Sequence, residues 1–440
     1  MAPARRLFMR SRFGMTALLL SLASAIIASG CGTPGNKANR VTLPVARQDY
    51  TTDTKPNQKM LGAIGFQYYW KNETGLPLRA GEDIQGLFLR DENLYLVSSF
   101  NDAYACDAQV GTYKWLANVA PIEETLFDPV NIPEAHLTRE LGDNDMLLHP
   151  PAISSIPAFP ASIFCTGSRI TVVNRDNGVI YRNYPFKQFA SMCRAATTPD
   201  GIYVCAASPN KLLYGIDLLC GVKTATVEIK AQVKAPPCIY GEYLYIGTRD
   251  SRILKISVGA EMNIARTLEL RGPVLHQFHV DGRGVFVAAE DKRFYGLNPI
   301  TLEHMYTSIY LGGRPAGPMQ IGQTLAFQRV HGHGIQAIDF LKGKKLWSKS
   351  NGIKVIGVDA NEVWILDKSR NLLIVEAQSG RQKQSAPIRG FDFYASNTIT
   401  PAIYTATEDG KFFCITKKKK GYINLEQLEA IKNKLDKDSR

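Results

Sequence analysis

Apolar runs alternate with short polar turns along most of the chain, and the runs come in pairs. "NLYLVSSFNDAYACD", "SIFCTGSRITVVN", "GIYVCAASPNKLLYGID", "YLYIGTRDSRILKIS", "GVFVAAEDKRFYGLN", "TLAFQRVHGHGIQAID", "EVWILDKSRNLLIVE" and "AIYTATEDGKFFCIT" each place two β-branched and aromatic runs around a polar tip. That pattern predicts a β-hairpin. The second run of each pair ends on an anchor: Asp107, Asn174, Asp217, Ser257, Asn298, Asp339, Glu376 and Thr416. The first two anchors are 67 residues apart, and the later spacings are 43, 40, 41, 41, 37 and 40.

A period near 40 residues, with three to four short strands in each unit, predicts a β-propeller. Each sheet covers its faces with its neighbours, and closure of the ring protects the edges. Eight units predict eight blades of four strands, in an all-β fold over residues 61–423. Gly111, Gly178, Gly221, Gly343 and Gly380 follow their anchors by four residues, where the chain turns sharply into a further strand and a positive φ suits glycine. Ser257, Asn298 and Thr416 lack this glycine. The last unit supplies no final strand, while "GFQYYW" at 65–70 is a strand-like run without a partner that ends in Trp70. The N-terminal strand is therefore expected to complete the last blade.

The stretches "ACDAQVGTYKW" and "AIDFLKGKKLW" share Asp107, Gly111 and Trp115 with Asp339, Gly343 and Trp347 at one spacing. This text resembles the repeat of the pyrroloquinoline-quinone-type propeller superfamily, over about residues 64 to 420. The superfamily holds calcium- and quinone-dependent dehydrogenases. It also holds non-catalytic lipoproteins similar to the propeller subunit of the outer-membrane β-barrel assembly machinery. In both groups the repeated residues serve blade packing, so the resemblance implies a fold more than a chemistry. The chain lacks adjacent cysteines and an acidic cluster in corresponding blade positions, which the enzyme branch uses beside its cofactor. The resemblance thus implies a non-enzyme without cofactor or metal, which binds protein partners in the cell envelope. The readings set against it are a quinone- or calcium-dependent oxidoreductase and a cell-wall polysaccharide-binding module.

Residues 1–30 carry Arg5, Arg6, Arg10 and Arg12 ahead of an apolar run too short to span a membrane comfortably. The ending "ASGC" resembles a lipobox with Cys31 as the lipidated residue, and "ARRLFMR" resembles a twin-arginine signal without its usual Ser or Thr. Residues 31–60, poor in large apolar side chains, then read as a flexible tether. The expected state is a monomeric ring anchored to a bacterial membrane, on the outer membrane facing the periplasm. Loss of the signal's four arginines takes the net charge from +12 to +8. Nucleic acid is an improbable partner for such a chain; anionic headgroups or an acidic partner suit it better. Besides Cys31 there are seven cysteines, with no CxxC pair, and their apolar settings read as buried thiols rather than a disulfide framework or zinc site.

The long first spacing places about 27 extra residues within 121–160. This segment holds seven of the 23 prolines, seven acids and one basic residue, Arg139. Proline is expected to keep it out of a sheet, which leaves a long ordered rim loop with Leu126, Phe127, Glu134, Leu147 and Leu148 as candidate partner-binding residues. His276 with His279, and His331 with His333, are spaced to approach a metal, but the second pair sits at a Gly-rich hairpin tip and no metal is expected. Residues 424–440 place Leu425, Leu428, Ile431 and Leu435 at helical spacing and predict a short amphipathic helix.

Overall fold

The computed structural model describes residues 58–138, 155–186, 191–199, 201–218, 222–259 and 261–418. Cys31, Leu147, Leu148, Cys220, Gly221, the signal, nearly all of the tether and the C-terminal helix at 424–440 lie outside the described residues. The described chain forms eight antiparallel sheets of four strands each, arranged as an eight-bladed ring. The first blade runs Ile84–Arg90, Asn93–Ser98, Asp102–Asp107 and Tyr113–Asn118, in that spatial order.

The last blade is assembled from both ends of the ring. Phe393–Tyr394, Ala402–Ala406 and Phe412–Lys417 come from the C-terminal side, and Phe66–Asn72 adds the fourth strand. Phe66 pairs with Lys417 and Trp70 with Cys414, with a register shift between Tyr68 and Trp70. A short helix, Gln58–Ala63, precedes this strand and buries Leu61 against Trp364, Ile388 and Phe391. Ring closure therefore rests on one antiparallel strand pair and its side chains.

Apolar runs in the middle strands have a simple cause. Successive side chains of a strand point to opposite faces, and here both faces are covered by a neighbouring blade. Leu94 and Leu96 pack with Trp70, Tyr404 and Cys414 at the joint with the eighth blade. Tyr95, from the same strand, packs with Trp115, Phe164 and Val173 at the joint with the second. Asn93–Ser98, Gly284–Ala289 and Ala402–Ala406 are accordingly buried at every position. Fourth strands such as Ile264–Glu269 and Gln382–Pro387 are almost wholly exposed and form the outer wall. The first strands of adjacent blades touch one another around the centre, Val130–Thr138 against Ala196–Thr197 and Ala196–Thr197 against Cys238–Tyr240. They line the axial channel.

One expectation is overturned here. The proline-rich insertion does not stay out of the sheet: its flanks are Val130–Thr138 and Ser155–Cys165, the first two strands of the second blade. Ile132 pairs with Ala161, Ala135 with Phe159, Leu137 with Ile156 and Thr138 with Ser155. Register shifts fall between Ile132 and Ala135 and between Ala135 and Leu137. Pro133 and Pro160 lie in the first shift and Pro157 in the second, so each proline occupies a bulge and the ladder resumes beyond it.

Candidate functional site

The repeated residues build one joint many times over. In the first blade, Asp107 Oδ1 accepts from the backbone N–H of Gln109 at 2.8 Å and of Val110 at 3.0 Å, and Gly111 N–H donates to the Asp107 carbonyl at 2.8 Å. This closes a tight turn with Gly111 at φ 72°. Trp70, on the eighth blade's closing strand, lies flat against that turn. Its Nε1 donates to the Ala108 carbonyl at 3.0 Å, and a Cβ on Gly111 would overlap its ring. Asn72 Nδ2 adds a bond to the Gly111 carbonyl at 3.0 Å.

The same clasp recurs around the ring. Trp115 donates to the Arg175 carbonyl at 2.8 Å over Gly178, and Trp347 to the Ala377 carbonyl at 2.7 Å over Gly380. At the joint served by Asp339 and Gly343, the clasping residue is Tyr306, whose hydroxyl donates to the Phe340 carbonyl at 2.7 Å. Tyr184 donates likewise to Leu218 at 2.6 Å, and Tyr245 to the Pro299 carbonyl. Tyr306 stands eight residues after its anchor Asn298, the offset that separates Trp115 from Asp107, so a search for any aromatic at that offset would have found it. Tyr245 comes from a second strand instead, and no offset from an anchor reveals it. Desolvation by burial, with the Asp339 carboxylate second, holds the Tyr306 phenol above its ordinary pKa, which keeps it a hydrogen-bond donor.

These turns share one face of the ring with the hairpins between first and second strands: Ala108 N–H donates to Glu92, Val258 to Glu242 and Ala377 to Asn361. Arg175 N–H makes the matching bond in the second blade, but to Pro160 at 2.8 Å, well short of that hairpin's end. The pairs from Ala135–Phe159 to Thr138–Ser155 therefore extend the hairpin beyond the rim of this face. Its base is fixed by Phe159 stacked on Tyr181, with ring centroids 4.2 Å apart at 27°.

The candidate partner-binding residues separate accordingly. Leu126 is half-buried against the cluster at the joint of the first and second blades, and Phe127 against that of the second and third. Phe127 N–H also bonds the Cys165 carbonyl at 2.9 Å. Both serve the ring. Glu134 lies on the hairpin strand at the first register shift. Within the same segment, Glu124 binds Thr166 Oγ1 and forms an ion pair with Arg169 at 3.1 Å. Burial opposes ionisation of Glu124, but the Ser168, Thr166 and Arg169 contacts outweigh it and hold the carboxyl below its ordinary pKa.

The histidines take other roles. His279 Nε2 meets Asp281 at 2.9 Å, and His331 and His333 sit in the turn between Leu325–Val330 and Gly334–Asp339. Among the described residues, no three His, Cys, Asp or Glu side chains are placed to hold a metal ion. Of the six described cysteines, five are buried and Cys238 is half-buried. Burial pushes Cys165 and Cys205 up to about 12 and Cys238 to about 11, so they are protonated and poorly nucleophilic near neutral pH.

No protein-family model matches the sequence, and no curated protein matches it. Among solved structures, the fold is similar to BamB from Moraxella catarrhalis at 13% identity and a TM-score of 0.56, covering 81% of this chain and 99% of that one. It is also similar to the computationally designed Ika8 protein at 10% identity and a TM-score of 0.54, covering 78% of this chain and 99% of that one.

Proposed function

We propose that this chain is a non-catalytic propeller scaffold of the bacterial cell envelope that binds protein partners in outer-membrane protein assembly. The observation that carries the reading is the second blade's hairpin, which continues as paired strands beyond the rim of an otherwise regular ring. Phe159 roots this extension in the second blade, and the paired strands beyond it offer a partner a preformed ribbon whose edges carry backbone hydrogen-bonding groups. The repeat's resemblance to envelope lipoproteins and the likeness of the ring to BamB support the same direction.

In this reading Cys31 carries the lipid, residues 31–60 tether the ring, and Glu134, Leu147 and Leu148 are the candidate contacts for the partner. Held at the periplasmic side of the outer membrane, a monomeric ring meets membrane-bound partners at raised effective concentration, so weak contacts suffice. A photo-crosslinking residue placed at Leu137 tests this in cells, with one at Asp250, on the opposite face, as the comparison. The reading expects adducts with an outer-membrane β-barrel or its assembly factor from position 137, reduced when Cys31→Ser releases the chain from the membrane. Adducts from position 250 alone, or none at either position, would contradict it.

A further inference from the structure

We propose that the axial channel holds a phosphate-type oxyanion between Arg90, Arg194 and Lys354. These residues are far apart in sequence, and each stands on or just before the first, innermost strand of its blade: the first, third and seventh. Lys354 Nζ reaches across to the Tyr394 carbonyl of the eighth blade at 2.6 Å. Arg90 Nε donates to the Pro129 carbonyl at 2.9 Å, and its terminal nitrogen meets Asp128 at 3.3 Å, at the entry of the second blade. An arc from the seventh blade to the third thus presents two guanidinium groups and one ammonium, with Asp128 as the counter-charge on Arg90.

Three observations point to an anion site. The Nε of Arg194 is buried and has no hydrogen-bond partner among the described residues. An orphaned guanidinium nitrogen costs stability unless a ligand occupies it. The cationic groups also sense one another. Burial lowers the pKa of Arg90, Asp128 opposes the shift and the Arg194 charge adds to it. Burial lowers Lys354 to about 8, with Asp128 opposing and Arg90 adding. Finally, with Asp128 counted and Asp91 taken up by its ion pair with Arg175 at 3.4 Å, the arc retains a net charge of two, which a phosphate dianion matches, and guanidinium forks suit its oxygens. Against Lys354 stand Arg90 and Asp128 as charged groups and the Tyr394 carbonyl as acceptor. The site has no part in the partner-binding hairpin, so the two proposals stand or fall separately.

The test is calorimetric titration of inorganic phosphate into the phosphate-free, full-length mature chain. Saturable binding of one phosphate per ring is expected, weakened roughly tenfold or more by Arg194→Gln and by Lys354→Met. Substituting the exposed Lys342 by Gln should leave it unchanged. Lys354→Met should also melt higher than the native chain at neutral pH, which separates lost binding from lost folding. The sign follows from linkage: between pH 8 and the ordinary 10.5, the unfolded chain keeps a lysine proton that the folded chain has released, so native stability rises with pH. The methionine variant should lose that rise. In the native protein alone, phosphate should raise the melting temperature more at pH 7 than at pH 9.5, although phosphate carries more charge at the higher pH. Absence of saturable binding, variants that bind as the native chain does, or an equal or larger shift at pH 9.5 would each overturn the proposal.

Discussion

Replacing Trp70 with Ala should destabilise the ring by about 4 kcal/mol, at the upper end of what a buried aromatic contributes. The side chain is fully buried, packs with Leu94, Leu96 and Tyr404, and donates its Nε1 proton to the Ala108 carbonyl. Its loss leaves a cavity at the joint of the first and eighth blades and an unpaired carbonyl beside it. It also acts where the ring is fastened. The strand Phe66–Asn72 is held by its pairing with Phe412–Lys417 and by the aromatic contacts that Phe66, Tyr68 and Trp70 make on either side. A shift of the urea midpoint, with early proteolysis near residues 58–72, is the expected readout. Trp347→Ala provides the comparison: it empties a similar clasp inside the ring and should leave the N-terminal strand protected. A loss below about 1 kcal/mol for Trp70→Ala would show that ring closure does not depend on this clasp.

Gly111→Ala should cost about 3 kcal/mol, from two separable sources. The backbone at Gly111 is left-handed, at φ 72°, which alone costs a non-glycine residue about 1–2 kcal/mol. The added methyl would also overlap the Trp70 ring, and forcing a packed contact apart typically costs about 1–3 kcal/mol more. Gly81 isolates the first source, because it has φ 78° with open space around the missing Cβ. Gly81→Ala should therefore destabilise by the backbone cost alone. In a Trp70→Ala background the steric part should vanish, making the pair strongly non-additive. Equal effects at Gly111 and Gly81, or full additivity with Trp70→Ala, would show that the glycine is there for the turn and not for the ring above it.

The ring was legible in the sequence because its constraints are local and repeated. Each blade needs a hairpin, an anchor and a tight turn at fixed offsets, so a period near 40 residues and the unpaired run ending in Trp70 were enough to predict eight blades closed by the N-terminal strand. The insertion was misread because proline's missing N–H was weighed without its surroundings. Pro133, Pro157 and Pro160 fall at register shifts, where the ladder asks for no donor. Tyr306 was hidden by a pattern that demanded tryptophan at that offset, whereas Tyr184, ten residues after its anchor, and Tyr245, on a second strand, fall outside the offset although their hydroxyls reach the equivalent carbonyl. Arg90, Arg194 and Lys354 gave no signal at all. Nothing in the local text around any of them marks a site, and only closure of the ring places them on one arc.

Affinity co-purification from detergent-solubilised membranes tests the central claim most directly, using the native chain and a variant with residues 135–157 replaced by an Asn-Gly turn. That cut leaves Leu126, Phe127 and the Ile132–Ala161 pair in place, so the second blade keeps its contacts. The account predicts that an outer-membrane β-barrel or assembly factor accompanies the native chain and is lost with the hairpin, while the shortened ring unfolds at the same urea concentration. Undiminished recovery of that partner with the shortened ring would contradict it.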